Sequence, residues 1–286
     1  MSEGSVTPTA GSGRRFLIVY AEPSFWSMGP GIGAGSFSRT PRALAERGHE
    51  VHIVLPAERG MPGGEEEWEG IRLHRFPTRW SFHPGVAALP IRLGIRIASY
   101  LAYRSIGTRT ALEVARKVRP DLVLSFGAYE APVARRVAEA LGVPNVIRIF
   151  GTSLSLSLDD PIRFRLNFPE VIAFRTPCAK LILTNDGANG ELVAQRCEVP
   201  PERFVYLRNG LDFSLFSPGP PSREIFDRLG VPPGTPLLMT VTRLAFEKRL
   251  ERVIEMMPAL LRRVPSAVAV LLGEGSERRR LEKAAE

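Results

Sequence analysis

Residues 16–56 read FLIVYAEPSFWSMGPGIGAGSFSRTPRALAERGHEVHIVLP, and the fold turns on how they are parsed. An apolar run stands at each end. Between them, RALAERG has helical spacing and stops on Gly48. A strand, a crossover helix and a second strand of the same apolar character make a βαβ unit, because strands that are apolar throughout are covered on both faces of a parallel sheet. Working outward, strands are predicted at 16–21, 50–55, 71–76, 122–126, 145–150, 180–184 and 204–207. Helical patterns TALEVARKVRP and APVARRVAEALGVP fall between them, the last closed by Gly142 with Pro144 just beyond. The alternation predicts an α/β fold with a doubly wound sheet.

The loop inside the quoted stretch carries Gly29, Gly31, Gly33 and Gly35 at alternate positions. A dinucleotide fingerprint has the spacing G-x-G-x-x-G and follows its strand directly. Here EPSFWSMG intervenes after Ala21, and the second strand ends in HIVLPAE with no acid at its tip to grip a ribose. Those departures weigh against a nicotinamide cofactor, while the glycines still permit close backbone approach to an anion ahead of a helix. That helix starts either at Thr40–Pro41, as N-cap and N1, or near Ser36 with a kink.

The 286 residues suffice for about two such domains. Residues 1–14 read as a disordered polar tail, 15–216 as the first domain, 217–223 (SPGPPSR) as a linker and 224–286 as the start of a second domain. In the last, PLLMTVTR and AVAVLLG are strands and RLERVIEMMPALLRRV a helix. Two strands do not complete a doubly wound sheet, so this domain is expected to be incomplete. No apolar run is long enough to cross a bilayer, and the two cysteines, Cys178 and Cys197, sit in unrelated contexts, which points to a cytoplasmic chain with reduced thiols. The net charge of +8 favours anionic partners. Its arginines are scattered rather than massed with aromatics, which argues against nucleic acid.

Four segments together resemble the family-4-type retaining glycosyltransferases of GT-B architecture. They are GPGIG with RALAERGHEVHIVLP; RPDLVLSFGAYEAPVARRVAEALGVPNVIRIFGTSL; RNGLDFSLFSPG; and VTRLAFEKRLERVIE with LLGEGSERRRLE. The resemblance implies a GT-B-like fold, with a complete N-terminal Rossmann-like domain on the acceptor side and the first part of a second that binds a nucleotide sugar. It implies a nucleotide-diphosphate-sugar donor, a saccharide or lipid-linked acceptor, no further cofactor and no metal. The absence of any D-x-D fits the last expectation.

By the same resemblance, Arg243 and Lys248 are the catalytic pair that grips the diphosphate. A guanidinium and an ammonium can neutralise a departing diphosphate as its charge develops; the bland alternative is two solvated charges at a helix start. Gly31, Gly33, Gly273 and Gly275 are the donor-side glycines, or simple turn residues. Gly151, Thr152, Asn185 and Asp186 are the acceptor-side or sugar-side candidates, with an Asx turn the competing role for the last two. Arg249 stands where the family often has glycine, and Phe150 where many relatives have histidine. The family's E-x7-E pair has no credible copy in the chain, which leads to the expectation of an inactive fragment of a longer enzyme. Residues 90–118 mix arginines with Leu, Ile and Tyr at helical spacing, leaving peripheral contact with an anionic membrane face open beside plain core packing. Two rival functions remain: an NAD-linked sugar oxidoreductase or epimerase, and a non-catalytic phosphate- or carbohydrate-binding module.

Overall fold

The structure is a computed structural model, described here for residues 13–22, 35–58, 60–78, 88–185, 187, 189–210, 219 and 223–286. The chain divides into two compact units, Met1–Leu211 and Asp212–Glu286. The sequence reading had placed the first boundary after residue 216.

Eight strands build the first unit: β1 Arg15–Val19, β2 Glu50–Pro56, β3 Gly64–Trp68, β4 Ile71–Phe76, β5 Leu122–Phe126, β6 Asn145–Ile149, β7 Lys180–Thr184 and β8 Phe204–Leu207. Their order is β3-β4-β2-β1-β5-β6-β7-β8. All pairings are parallel except β3 with β4. The order reverses between β1 and β5, the kind of switch point at whose carboxyl ends α/β sheets take ligands. The helices are α1 Gly35–Glu46, α2 Leu89–Val118, α3 Ala131–Leu141, α4 Pro161–Leu166, α5 Phe168–Arg175 and α6 Gly190–Arg196.

The apolar runs become the core for the reason that predicted them. Ile18, Val51, Ile53, Leu55, Ile71 and Phe126 are buried together, with Phe37 and Leu44 of α1 packed on them. Leu17, Val19, Val54 and Val123 form a second cluster with Tyr103 of α2 and Val133 and Val137 of α3. Ile147, Ile149, Leu181 and Leu183 make a third with Phe174 of α5 and Val193 of α6.

Two local details depart from or resolve the sequence reading. Helix α1 runs from Gly35 with Pro41 inside it, so Thr40–Pro41 is not its start. Phe37 explains the earlier beginning: its ring lies 4.0 Å from Phe150 and 5.7 Å from Tyr20, which anchors the first turn on the sheet. Strand β3, GEEEW, was not anticipated, because its acids have poor strand propensity. A tight turn with positive φ at Glu69 (50°) and Gly70 (77°) folds it back on β4. Its acids then pair across the ladder: Arg75 Nε lies 2.7 Å from Glu66 Oε1, and His74 Nδ1 lies 3.1 Å from Glu65 Oε1.

The second unit holds α7 Arg223–Leu229, β9 Leu237–Val241, α8 Glu251–Leu261, β10 Val268–Leu272 and α9 Arg278–Ala285. Strands β9 and β10 are parallel, and Leu244, Leu250 and Leu281 are its central buried cluster.

Candidate active site

In the second unit the segment after β9 carries both predicted cations. Phe246–Lys248 make one tight helical turn, and Arg249 then takes a left-handed conformation (φ 53°) before α8 begins. Arg243 is largely exposed, and its Nη2 lies 3.1 Å from Glu247 Oε1. Lys248 is exposed and its backbone N–H donates to the Ala245 carbonyl at 2.9 Å. Among the described residues its ammonium has no acidic partner. The Arg249 guanidinium stacks 4.6 Å over the Phe246 ring and lies 3.5 Å from Glu251.

The loop after β10 is stitched to this segment through backbone. Thr242 N–H donates to the Leu272 carbonyl (3.0 Å), Leu244 N–H to the Glu274 carbonyl (2.9 Å), and Glu277 N–H to the Leu244 carbonyl (2.9 Å). Gly273 and Gly275 make that approach possible. A Cβ at Gly273, where φ is +156°, would sit 1.8 Å from the Thr242 carbonyl oxygen, and one at Gly275 would sit 2.2 Å from that of Leu244. The structure thus gives these glycines a backbone role in holding the Arg243 segment.

In the first unit, the residues after β6 are fixed by a carboxylate that the sequence reading missed. Thr152 Oγ1 donates to Glu170 Oε2 (2.5 Å), while the Ser153 N–H and Oγ donate to the same carboxylate. The Thr152 hydroxyl also accepts from Leu154 N–H at 3.2 Å, so it is already engaged within the loop. Gly151 has φ +135°. Phe150 packs in an aromatic cluster, 4.0 Å from Phe37 and 5.5 Å from Phe126. Asn185 Oδ1 accepts the Gly187 N–H at 3.3 Å, an Asx turn, and its own N–H donates to the Leu207 carbonyl at 2.6 Å. Gly31, Gly33 and Asp186 lie outside the described residues.

Two further polar groups at the carboxyl ends of the strands escaped the sequence reading. Glu130, just before α3, is buried beside the end of β1, and its Oε1 accepts the Ala21 N–H at 2.8 Å. Loss of water around the carboxyl, with the nearby Glu22 charge adding to it, pushes its pKa up to about 8. Arg148 sits in β6 with Nη2 3.3 Å from Asn209 Oδ1. For Arg148 the signal was there, an arginine inside an otherwise apolar strand. Among the described residues, no group of three His, Cys, Asp or Glu could hold a metal ion.

The glycosyl transferase 4-like domain family matches residues 36–210, and the glycosyl transferases group 1 family matches residues 221–286. No curated protein matches the sequence. Trehalose-6-phosphate synthase from E. coli, solved with UDP-2-fluoro glucose bound, is 11% identical with a TM-score of 0.62, over 94% of this chain and 69% of that one. Sucrose-phosphate synthase from Thermosynechococcus elongatus is 15% identical with a TM-score of 0.59, over 93% and 66%. Anabaena HepE, solved with UDP and glucose, is 15% identical with a TM-score of 0.57, over 93% and 64%. The chain thus spans roughly two thirds of the length of each, and the likeness establishes the fold. With a family match over most of its first unit and a second over the rest, the chain belongs to the glycosyl transferase 4-like family and is a glycosyltransferase of GT-B type.

Proposed function

We propose that the protein transfers a sugar, with retention of anomeric configuration, from a nucleotide diphosphate sugar to a hydroxyl acceptor. The observation that carries this reading is the pair of exposed cations after β9. Lys248 has no acidic partner among the described residues, and Arg243 is tied to only one carboxylate. Cations at a helix start oppose the helix dipole, so an anion there would stabilise them. The UDP-bound proteins of the same fold support a nucleoside diphosphate as that anion.

In this reading the bond between the anomeric carbon and the donor phosphate oxygen breaks, and the diphosphate leaves with the electron pair. Arg243 and Lys248 neutralise the charge that develops on it, without a metal. The acceptor oxygen forms the new bond on the face being vacated and passes its proton to the departing phosphate oxygen. Gly273 and Gly275 hold the Arg243 segment, while the resemblance assigns Gly31 and Gly33 to the donor and Gly151, Thr152, Asn185 and Asp186 to the acceptor or the sugar. The oxidoreductase reading is the weaker, because the sequence offers neither the glycine spacing nor the ribose acid that a nicotinamide nucleotide needs.

Helix α2 supports placing this chemistry near lipid, as in cell-envelope polysaccharide or glycolipid synthesis. Ile91, Ile97 and Leu101 are 57%, 41% and 56% exposed. Between Leu89 and Leu112 there are four arginines and no acid. Among the described residues, no helix is long and apolar enough to cross a membrane. The transfer reading is tested by screening nucleotide diphosphate sugars for protection against heat and for release of the nucleotide. At least one donor should protect, and Arg243→Ala should lose that protection and whatever turnover the parent shows. Near-normal turnover in that variant removes Arg243 from the chemistry, and the absence of protection by any donor favours a non-catalytic module.

A further inference from the structure

We propose that Arg148, backed by Asn209 and Phe150, forms a subsite for an anionic group, a phosphate or a carboxylate, on the acceptor. Its assignment to the acceptor rests on the transfer reading above; the subsite itself does not.

Parallel strands covered on both faces seldom carry a charge in their interior, yet β6 reads NVIRI. In register, Arg148 lies beside Phe126 of β5 and Ile182 of β7, two apolar neighbours. The side chain escapes toward the carboxyl end of the sheet. Its guanidinium carbon lies 4.9 Å over the Phe150 ring, two residues further along the chain, and its Nη2 reaches Asn209 Oδ1, beyond the end of β8. The same Asn209 oxygen accepts the Thr184 hydroxyl at 3.4 Å, so the ends of β6, β7 and β8 converge on one polar point.

Among the described residues this guanidinium lacks a counter-charge: no carboxylate pairs with it, and a neutral amide oxygen is its polar partner. Its Nε is buried with no hydrogen-bond partner. Partial loss of water pulls its pKa below the ordinary guanidinium value. A half-buried cation whose Nε is cut off from water, with no opposing charge among the described residues, is costly, and the strand position would be filled by Leu or Ile if packing were its whole purpose. The arrangement leaves donor N–H groups available at the edge where α/β sheets bind ligands, with Phe150 below as a flat support. A planar fork of this kind suits the oxygens of a phosphate or carboxylate.

The test is calorimetric titration of the full chain with glucose 6-phosphate, mannose 6-phosphate and glucuronate, each against its neutral sugar, and separately with UDP. At least one anionic probe should bind about tenfold or more tightly than its neutral counterpart, the gain expected of a charge-assisted contact. Arg148→Gln should remove that advantage, Arg148→Lys should restore part of it, and UDP affinity should be unchanged in both. Thermal melts of the variants separate this effect from loss of folding. The proposal is overturned if no anionic probe gains over its neutral sugar, or if the gain survives in Arg148→Gln. Weakened UDP binding in Arg148→Gln with sugar-phosphate binding intact overturns the acceptor assignment and gives Arg148 to the donor. Arg148-dependent sugar-phosphate binding in a chain that binds no nucleoside diphosphate leaves the subsite standing while the transfer reading falls.

Discussion

Arg249 shows how a single side chain that stands out in the sequence acquires a physical reason in the structure. By resemblance it stands where the family often has glycine. The structure shows why glycine suits the position: φ is 53°. A side chain in that region costs about 1–2 kcal/mol. Stacking on Phe246 and the ion pair with Glu251 offset it by roughly 0.5–1 kcal/mol each at an exposed site. Arg249→Gly should therefore stay within about 0.5 kcal/mol of the parent, and Arg249→Ala, which loses both contacts and keeps the backbone cost, should be about 1 kcal/mol less stable than the glycine variant. Hydrogen exchange of α8 measures the difference. Glu130 was not legible, because nothing in AYEAP says that its carboxyl will be desolvated; burial comes from α3 and β1 closing over it. Its folded pKa of about 8 lies above the ordinary carboxylate value. The sign follows: its contribution to stability is fully present below about pH 4.5 and is lost as pH rises toward about 8. Unfolding followed by tryptophan fluorescence should thus show the parent losing stability between about pH 5 and about pH 8, and Glu130→Gln losing much less. Trp68 packs against the buried cluster of β1, β2 and β4, so its signal reports on that core.

Elements were legible in proportion to how far their own residues decide them. The apolar parallel strands came out within a residue or two, because burial on both faces writes itself as an uninterrupted apolar run. Strand β3 did not, since an edge strand of glutamates is made by its partner's arginine and histidine and by a positive-φ turn. The start of α1 was ambiguous because Pro41 looked like a first-turn residue, and only the contact between Phe37 and Phe150 decided it. The loop after β10 belongs to the same class. G-E-G suggested ligand approach, whereas the backbone approach to Thr242 and Leu244 emerges only once β9 and β10 are side by side. Gly273→Ala should destabilise the second unit by about 2 kcal/mol or more, because the obstructing atom is backbone rather than a mobile side chain. Exchange of β9 and β10 amides should quicken while those of β1 and β5 stay unchanged. At the same scale, α2 should bind vesicles of anionic phosphatidylglycerol and not neutral phosphatidylcholine, and added salt should release it. Replacing Ile97 and Leu101 by Ser should weaken sedimentation with the vesicles by about tenfold.

For the molecule as a whole, two compact units with sheets parallel but for one edge strand and two glycosyltransferase family matches agree with what the order of weak motifs implied. The class of protein was readable because it depends on many residues in sequence order. The ligands were less so, because a site draws on side chains brought together from separate strands, as Arg148, Thr184 and Asn209 are. The central claim is narrower: Arg243 and Lys248 recognise the charge of a diphosphate. Comparing the affinity of nucleoside diphosphates and the matching monophosphates for the parent, Arg243→Ala and Lys248→Ala tests it directly. The account predicts that the diphosphate binds more tightly to the parent and that each substitution weakens it by about tenfold or more while sparing the monophosphate. Diphosphate affinity unchanged in both variants would contradict it.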